Sequence, residues 1–127
     1  MSGIRLPVRL LAGLLALSWL PPLAASDGAA GPAFVERFRS AAAASGGAAL
    51  GELAAVPFLY EGRQLGREAF VAEVVPALFT PSVRRCLQRA PARPEGDRLV
   101  LWCKPYGFHL GSTRTGWRLI EFVADVD

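Results

Sequence analysis

Apolar and polar positions alternate with a helical period early in the chain and with a strand period late in it. Phe34, Val35, Phe38 and Ala41 or Ala42 recur at helical spacing, with Glu36, Arg37 and Arg39 opposite, so a helix is predicted over Phe34–Ala44. Ser45-Gly46-Gly47 stops it, because glycine readily takes the left-handed conformation of a helix end. Ala48–Ala55 reads as a second, short helix with Leu50 and Leu53 inward. Val56-Pro57-Phe58-Leu59-Tyr60 reads as extended, since a residue before proline avoids the helical region. Glu61-Gly62-Arg63 is a turn. Arg67–Phe79 is a third helix on the stripe Phe70, Val71, Val74, Val75 and Leu78, kinked or ended locally by Pro76. Thr80-Pro81 opens a fourth helix running to about Ala90, with threonine as cap and proline at the first helical position.

Val83, Cys86, Leu87 and Ala90 share one face of that helix, while Arg84, Arg85, Gln88 and Arg89 share the other. Cys86 is therefore expected inside and the arginines in water. Pro91–Gly96 reads as a loop and Leu99–Cys103 as a strand. Lys104-Pro105 interrupts that strand, and Tyr106–Leu110 continues it, with a bulge at Gly107. Gly111–Gly116 is a hairpin loop, and Trp117–Val123 is the last strand. Helices early and strands late give an α+β pattern instead of alternating βαβ units.

The first residues add a compartment. Arg5 and Arg9 precede the apolar run Leu10–Leu20, and Pro21-Pro22 and small residues follow. This is the layout of a secretory signal peptide cleaved after Ala25 or Ser26. The run is shorter than the roughly 20 apolar residues that a membrane span needs. The predicted organisation is a signal peptide over 1–26 and one domain over 27–127, opening with a flexible lead-in at Asp27–Ala33. The expected localisation is periplasmic or extracellular, with no stable membrane span after cleavage. The chain carries 14 basic and 11 acidic residues, a net charge of +3. Without Arg5 and Arg9 that falls to +1, which makes no case for nucleic acid.

Cys86 and Cys103 are the only cysteines. In an exported chain they read as one disulfide. Their separation of 17 positions does not suit a redox pair. Two cysteines and the single histidine do not complete a zinc site, so no metal or cofactor is expected.

The order of helix, short helix, "VPFLYEGRQL", helix, "ALFTPSVRRCL" and a closing hairpin ending "GWRLIEFVAD" resembles the nuclear-transport-factor-2-like (cystatin-like) superfamily, in its small exported bacterial members. The likeness covers Phe34–Val126. It implies N-terminal helices packed on a strongly curved, cone-like antiparallel sheet. It also implies a ligand or partner in the open mouth, near Tyr60, Arg63, Trp102, Tyr106, His109 and Trp117. Enzymes of that superfamily place an acid–base residue in the mouth. Here no Asp–His or Asp–Arg arrangement aligns with theirs.

The leading expectation is a non-catalytic module binding a small apolar ligand or an envelope protein, and pairing as a homodimer is compatible with an open sheet. A second is an enzyme of the same fold using His109 with Glu121 or Glu61 as an acid–base pair. A third is an inhibitory or stress-related envelope partner using the basic strip Arg84, Arg85, Arg89 and Arg93 toward an acidic target. "EGRQLG" has neither the spacing nor the lysine of a phosphate loop, and no nucleophile elbow is visible.

Overall fold

The structure, a computed structural model, describes residues 23–124, with side chains from Gly28 onward. It is α+β. Helix α1 (Leu23–Ala43) and α2 (Ala48–Leu53) come first, then the hairpin β1 (Phe58–Tyr60) and β2 (Arg63–Leu65). A composite helix follows, made of α3 (Arg67–Ala69), a π-helical turn (Phe70–Val74) and α4 (Val75–Leu78), and then α5 (Pro81–Leu87). The chain closes with β3 (Ala92–Glu95), β4 (Arg98–Cys103), β5 (Tyr106–Thr113) and β6 (Gly116–Ala124). The last four strands form an antiparallel meander in the order β3-β4-β5-β6. Ala54 bridges Leu119 in parallel, and the Ala55 N–H donates to the Leu119 carbonyl at 2.9 Å, so the segment after α2 runs along the outer edge of β6.

The composite helix shows how the sequence accommodates Pro76. The Val75 N–H reaches back five residues to the Phe70 carbonyl. A proline inside a regular helix has no N–H to give, and its ring collides with the carbonyl four residues back. The wide turn just ahead of Pro76 relieves that collision, so the helix continues past it. Thr80 caps α5 as expected: its Oγ1 accepts from the Val83 N–H at 3.2 Å.

Four expectations are corrected. Asp27–Ala33 is helical and not a flexible lead-in; α1 starts at Leu23, and the rest of the predicted leader lies outside the described residues. Ala29, Ala30 and Ala33 favour helix. Gly31 sits against the sheet, with Trp117 and Leu99 so close that an added Cβ would lie 3.0 Å from either. Pro91–Gly96 is not a loop, because Ala92–Glu95 pairs with β4. Its prolines are tolerated because β3 is an edge strand with one partner. Lys104-Pro105 does not interrupt one strand but turns the chain between two, as Cys103 pairs with Tyr106. The bulge lies not at Gly107 but on β6. His109 faces Glu121 and Leu110 faces Leu119, leaving Ile120 as the extra residue.

Helices α1, α2, α4 and α5 and the π-helical turn contribute to the core on one face of the meander. Phe34, Phe38, Phe58, Phe70 and Phe108 are fully buried there with Leu50, Leu87, Leu101, Leu110 and Leu119. Phe38, Phe79 and Phe108 meet with ring centroids 5.1 to 6.1 Å apart, and Phe58 lies 5.0 Å from Phe70. Burying each such ring contributes about 1.5–3 kcal/mol. Among the described residues, no helix is long and apolar enough to cross a membrane.

Candidate functional site

The disulfide forms as expected. Cys86 on α5 and Cys103 at the end of β4 are joined, with Cα atoms 5.8 Å apart. Cys103 is buried and Cys86 half-buried, so the bond fastens helix to sheet at the edge of the core.

The basic strip does not survive whole. Arg84 is turned away from open water. Its Nε donates to the Phe79 carbonyl at 2.9 Å, Nη1 to Ala42 and Ala44 at 2.8 Å, and Nη2 to Gly46 at 3.0 Å. Three of these are carbonyls at and just past the end of α1, where the helix leaves its acceptors unpaired. Arg39 on α1 does the same for α5, with Nη1 donating to Leu87 and Ala90 at 2.7 and 2.8 Å. Each helix thus caps the other with a guanidinium, which also suits the negative end of a helix dipole. Arg85, Arg89 and Arg93 remain exposed.

The six residues expected around one mouth are divided by the sheet. Trp117 pairs with Ser112 on the face that holds Leu110 and packs beside Gly31 on α1. Tyr106 lies on that face too, its ring 6.1 Å from Phe108 and 5.7 Å from Phe122. Tyr60 closes the group, 5.9 Å from Phe122. Its partial burial, with Glu61 nearby, pushes the phenol above its usual range. Arg63 stands at the start of β2 and pairs with Glu73 on the composite helix, which raises its pKa further. Trp102 and His109 are on the opposite face of the sheet, which no helix among the described residues covers. Trp102 and Trp117 therefore do not face each other, and the six do not converge on a common cavity.

That uncovered face carries its own ordered group. Trp102 lies flat on Gly107, where an added Cβ would meet the ring at 2.7 Å. Its Nε1 donates to Glu95 at 3.1 Å, and its ring stands edge-on to His109, centroids 6.5 Å apart. Arg98 reaches across two strands, donating to Glu121 and to His109 Nδ1, the latter at 3.2 Å. A guanidinium only donates, so Nδ1 accepts and the imidazole carries its proton on Nε2. Glu121 does sit opposite His109 in the register, but Arg98 holds both. Among the described residues no hydrogen bond joins His109 to Glu121 or to Glu61, which is an exposed turn residue. Val100 is wholly buried beneath this group, while Trp102 and Val123 are each 39% exposed.

A second feature was not legible in the sequence. At the tip of the β5–β6 hairpin a cleft of about 430 Å³ opens between the tip, the segment after α2 and the first turn of α3. Three arginines line it: Arg67, Arg114 and Arg118. "TRTGWR" shows two of them straddling a turn, but Arg67 comes from a distant part of the chain and only folding adds it. Among the described residues, no cluster of histidine, cysteine, aspartate and glutamate could hold a metal ion.

No family model matches this sequence, and no similar protein was found among curated sequences or solved structures.

Proposed function

We propose that this chain is a small exported domain of the nuclear-transport-factor-2-like type that works by binding a protein partner and not by catalysis. The element order supports the architecture: two helices, a short hairpin, a composite helix and a closing four-stranded meander. Export is supported by the leader pattern and by the Cys86–Cys103 bond, which persists in oxidising compartments. A filled interior argues against a small apolar ligand between helices and sheet, because Phe34, Phe38, Phe70 and Phe108 occupy that space.

The observation that carries the reading is the Trp102 face. A half-exposed tryptophan is seated on glycine, tethered to Glu95 and flanked by Arg98, His109 and Glu121 on the side that no helix of the described residues protects. Interface hot spots combine an aromatic anchor with arginine in this way. Catalysis by His109 is disfavoured because Arg98 stands between it and its carboxylate.

A photo-cross-linking residue at position 102 or 123 tests this, with the same residue at position 85 or 89 as comparison, in cells exporting the protein. Discrete adducts from the sheet face, lost when Arg98→Glu is introduced beside it, are the expected result. Adducts arising only from positions 85 and 89 overturn it in favour of an acidic partner on the helix strip.

A further inference from the structure

We propose that the cleft at the β5–β6 tip binds a phosphoryl group carried on a small organic body. Several other arginines of this molecule are saturated by main-chain carbonyls or carboxylates: Arg84 reaches four carbonyls, Arg39 two, and Arg98 is held by Glu121. The three arginines of the cleft are different. Arg114 makes no hydrogen bond or ion pair among the described residues. Arg118 gives Nη1 only to the carbonyl of its own neighbour Trp117, at 3.0 Å. Arg67 gives Nε to the Gly51 carbonyl at 3.2 Å, and its Nη1 makes a long, exposed ion pair of 3.9 Å with Glu52, beyond hydrogen-bond length. No carboxylate is among the residues that line the cleft.

Three arginines thus line one space, and among the described residues most of their planar donor forks make no hydrogen bond. Like charges in proximity raise the energy of the empty site, and an oxyanion removes that repulsion. A planar fork matches phosphate oxygens in pairs, and several forks suit a dianion better than a single carboxylate. The tip that presents them is braced from within. Thr113 Oγ1 donates to the Gly116 carbonyl at 2.7 Å and accepts from the Thr115 N–H at 3.2 Å. The opposite wall is apolar, formed by Ala54 and Ala55 with Val56, which is 41% exposed. A cleft of about 430 Å³ exceeds what one phosphate fills, and the apolar wall suits the carbon substituent of a phosphate ester. Such a group belongs either to a soluble ester or to a phospholipid headgroup.

Calorimetric titration of the folded, disulfide-bonded protein with inorganic phosphate and with glycerol 3-phosphate, at constant ionic strength, tests the site. Both bind, glycerol phosphate more tightly, and Arg114→Ala and Arg118→Gln each weaken binding about tenfold. Arg89→Ala, at an exposed arginine away from the cleft, leaves it unchanged. Unaltered melting curves of the variants establish that they fold. Sedimentation with phosphatidylglycerol vesicles against phosphatidylcholine vesicles separates the sources: capture by the former that Arg114→Ala abolishes identifies a lipid headgroup, and binding of the soluble ester alone identifies a free one. Absence of phosphate binding, or an equal loss in Arg89→Ala, overturns the proposal. Because Trp102 is not part of the cleft, failure here leaves the sheet-face reading standing.

Discussion

Single side chains decide where this molecule is firm. Arg84 stands on the polar side of its helix by sequence, yet it satisfies four carbonyls where two segments meet. Truncating it leaves those acceptors short of partners, whereas Arg85 next to it is exposed. Arg84→Ala is expected to cost about 2–3 kcal/mol and Arg85→Ala less than about 0.5 kcal/mol, read from urea denaturation midpoints at constant slope. Tyr60 sets a different limit. Its phenol is held above the ordinary value of 10.0 by partial burial and by Glu61, so the folded state keeps that proton more tightly than the unfolded chain. The resulting stability is complete below about pH 10 and is lost as pH climbs through the folded-state value. Tyr60→Phe should flatten the alkaline fall in stability, followed by denaturation at a series of pH values alongside phenolate absorbance.

Elements are joined by features that no element owns. The disulfide ties α5 to the end of β4. Closing a loop of this size stabilises by about 3 kcal/mol, on a model-dependent estimate. Reduction, or the pair Cys86→Ala with Cys103→Ala, should lower the unfolding free energy by about that amount, measured by guanidinium titration with and without reductant. Within the sheet, Gly107 leaves the space in which Trp102 lies. Gly107→Ala puts a methyl group into the indole ring and should cost about 1–3 kcal/mol through overpacking. It should also move the Trp102 emission toward that of a hydrated indole. An unshifted spectrum and unchanged stability would contradict the ring's placement on the strand. The π-helical turn belongs to this scale as well, since it lets one helix carry Phe70, Val74, Val75 and Leu78 into the core despite Pro76.

The described residues form a helical layer laid on one face of a meander, and none of their helices lies on the other face. Helix α1 spans that arrangement, touching β5, β6, α2 and α5. Its first half is part of the body, because Gly31 lies against Trp117. A chain beginning at Phe34 should expose Trp117, redden its fluorescence and melt earlier than one beginning at Gly28. Equal melting temperatures for the two would place the first turns of α1 outside the cooperative unit. Trp102 serves as the internal control in that comparison, since it lies on the other face and its emission should not change.

Local pattern was enough to determine a good part of this protein. Helical periodicity located α1 from Phe34 onward, α2, the composite helix and α5. Threonine before proline marked the α5 cap to the residue, and two cysteines behind a signal-like leader pattern marked the bond. These depend on neighbours within a turn or two, or on a pairing with no alternative. The sequence did not reveal β3, because prolines on an edge strand look like a loop until a partner is present. Nor did it reveal the helicity of Asp27–Ala33, which is secured by Trp117 and Leu99 from the far end of the chain. The facing of Trp102 and Trp117 turned on a reversal at Lys104-Pro105 and a bulge at Ile120, and one residue of register exchanges the two faces of a strand. The arginines show the same division. A helical wheel sees only charge and spacing, so it placed Arg84 in water. Carbonyls more than thirty residues away in the chain turned it inward, and only folding gathered Arg67, Arg114 and Arg118 around one cleft.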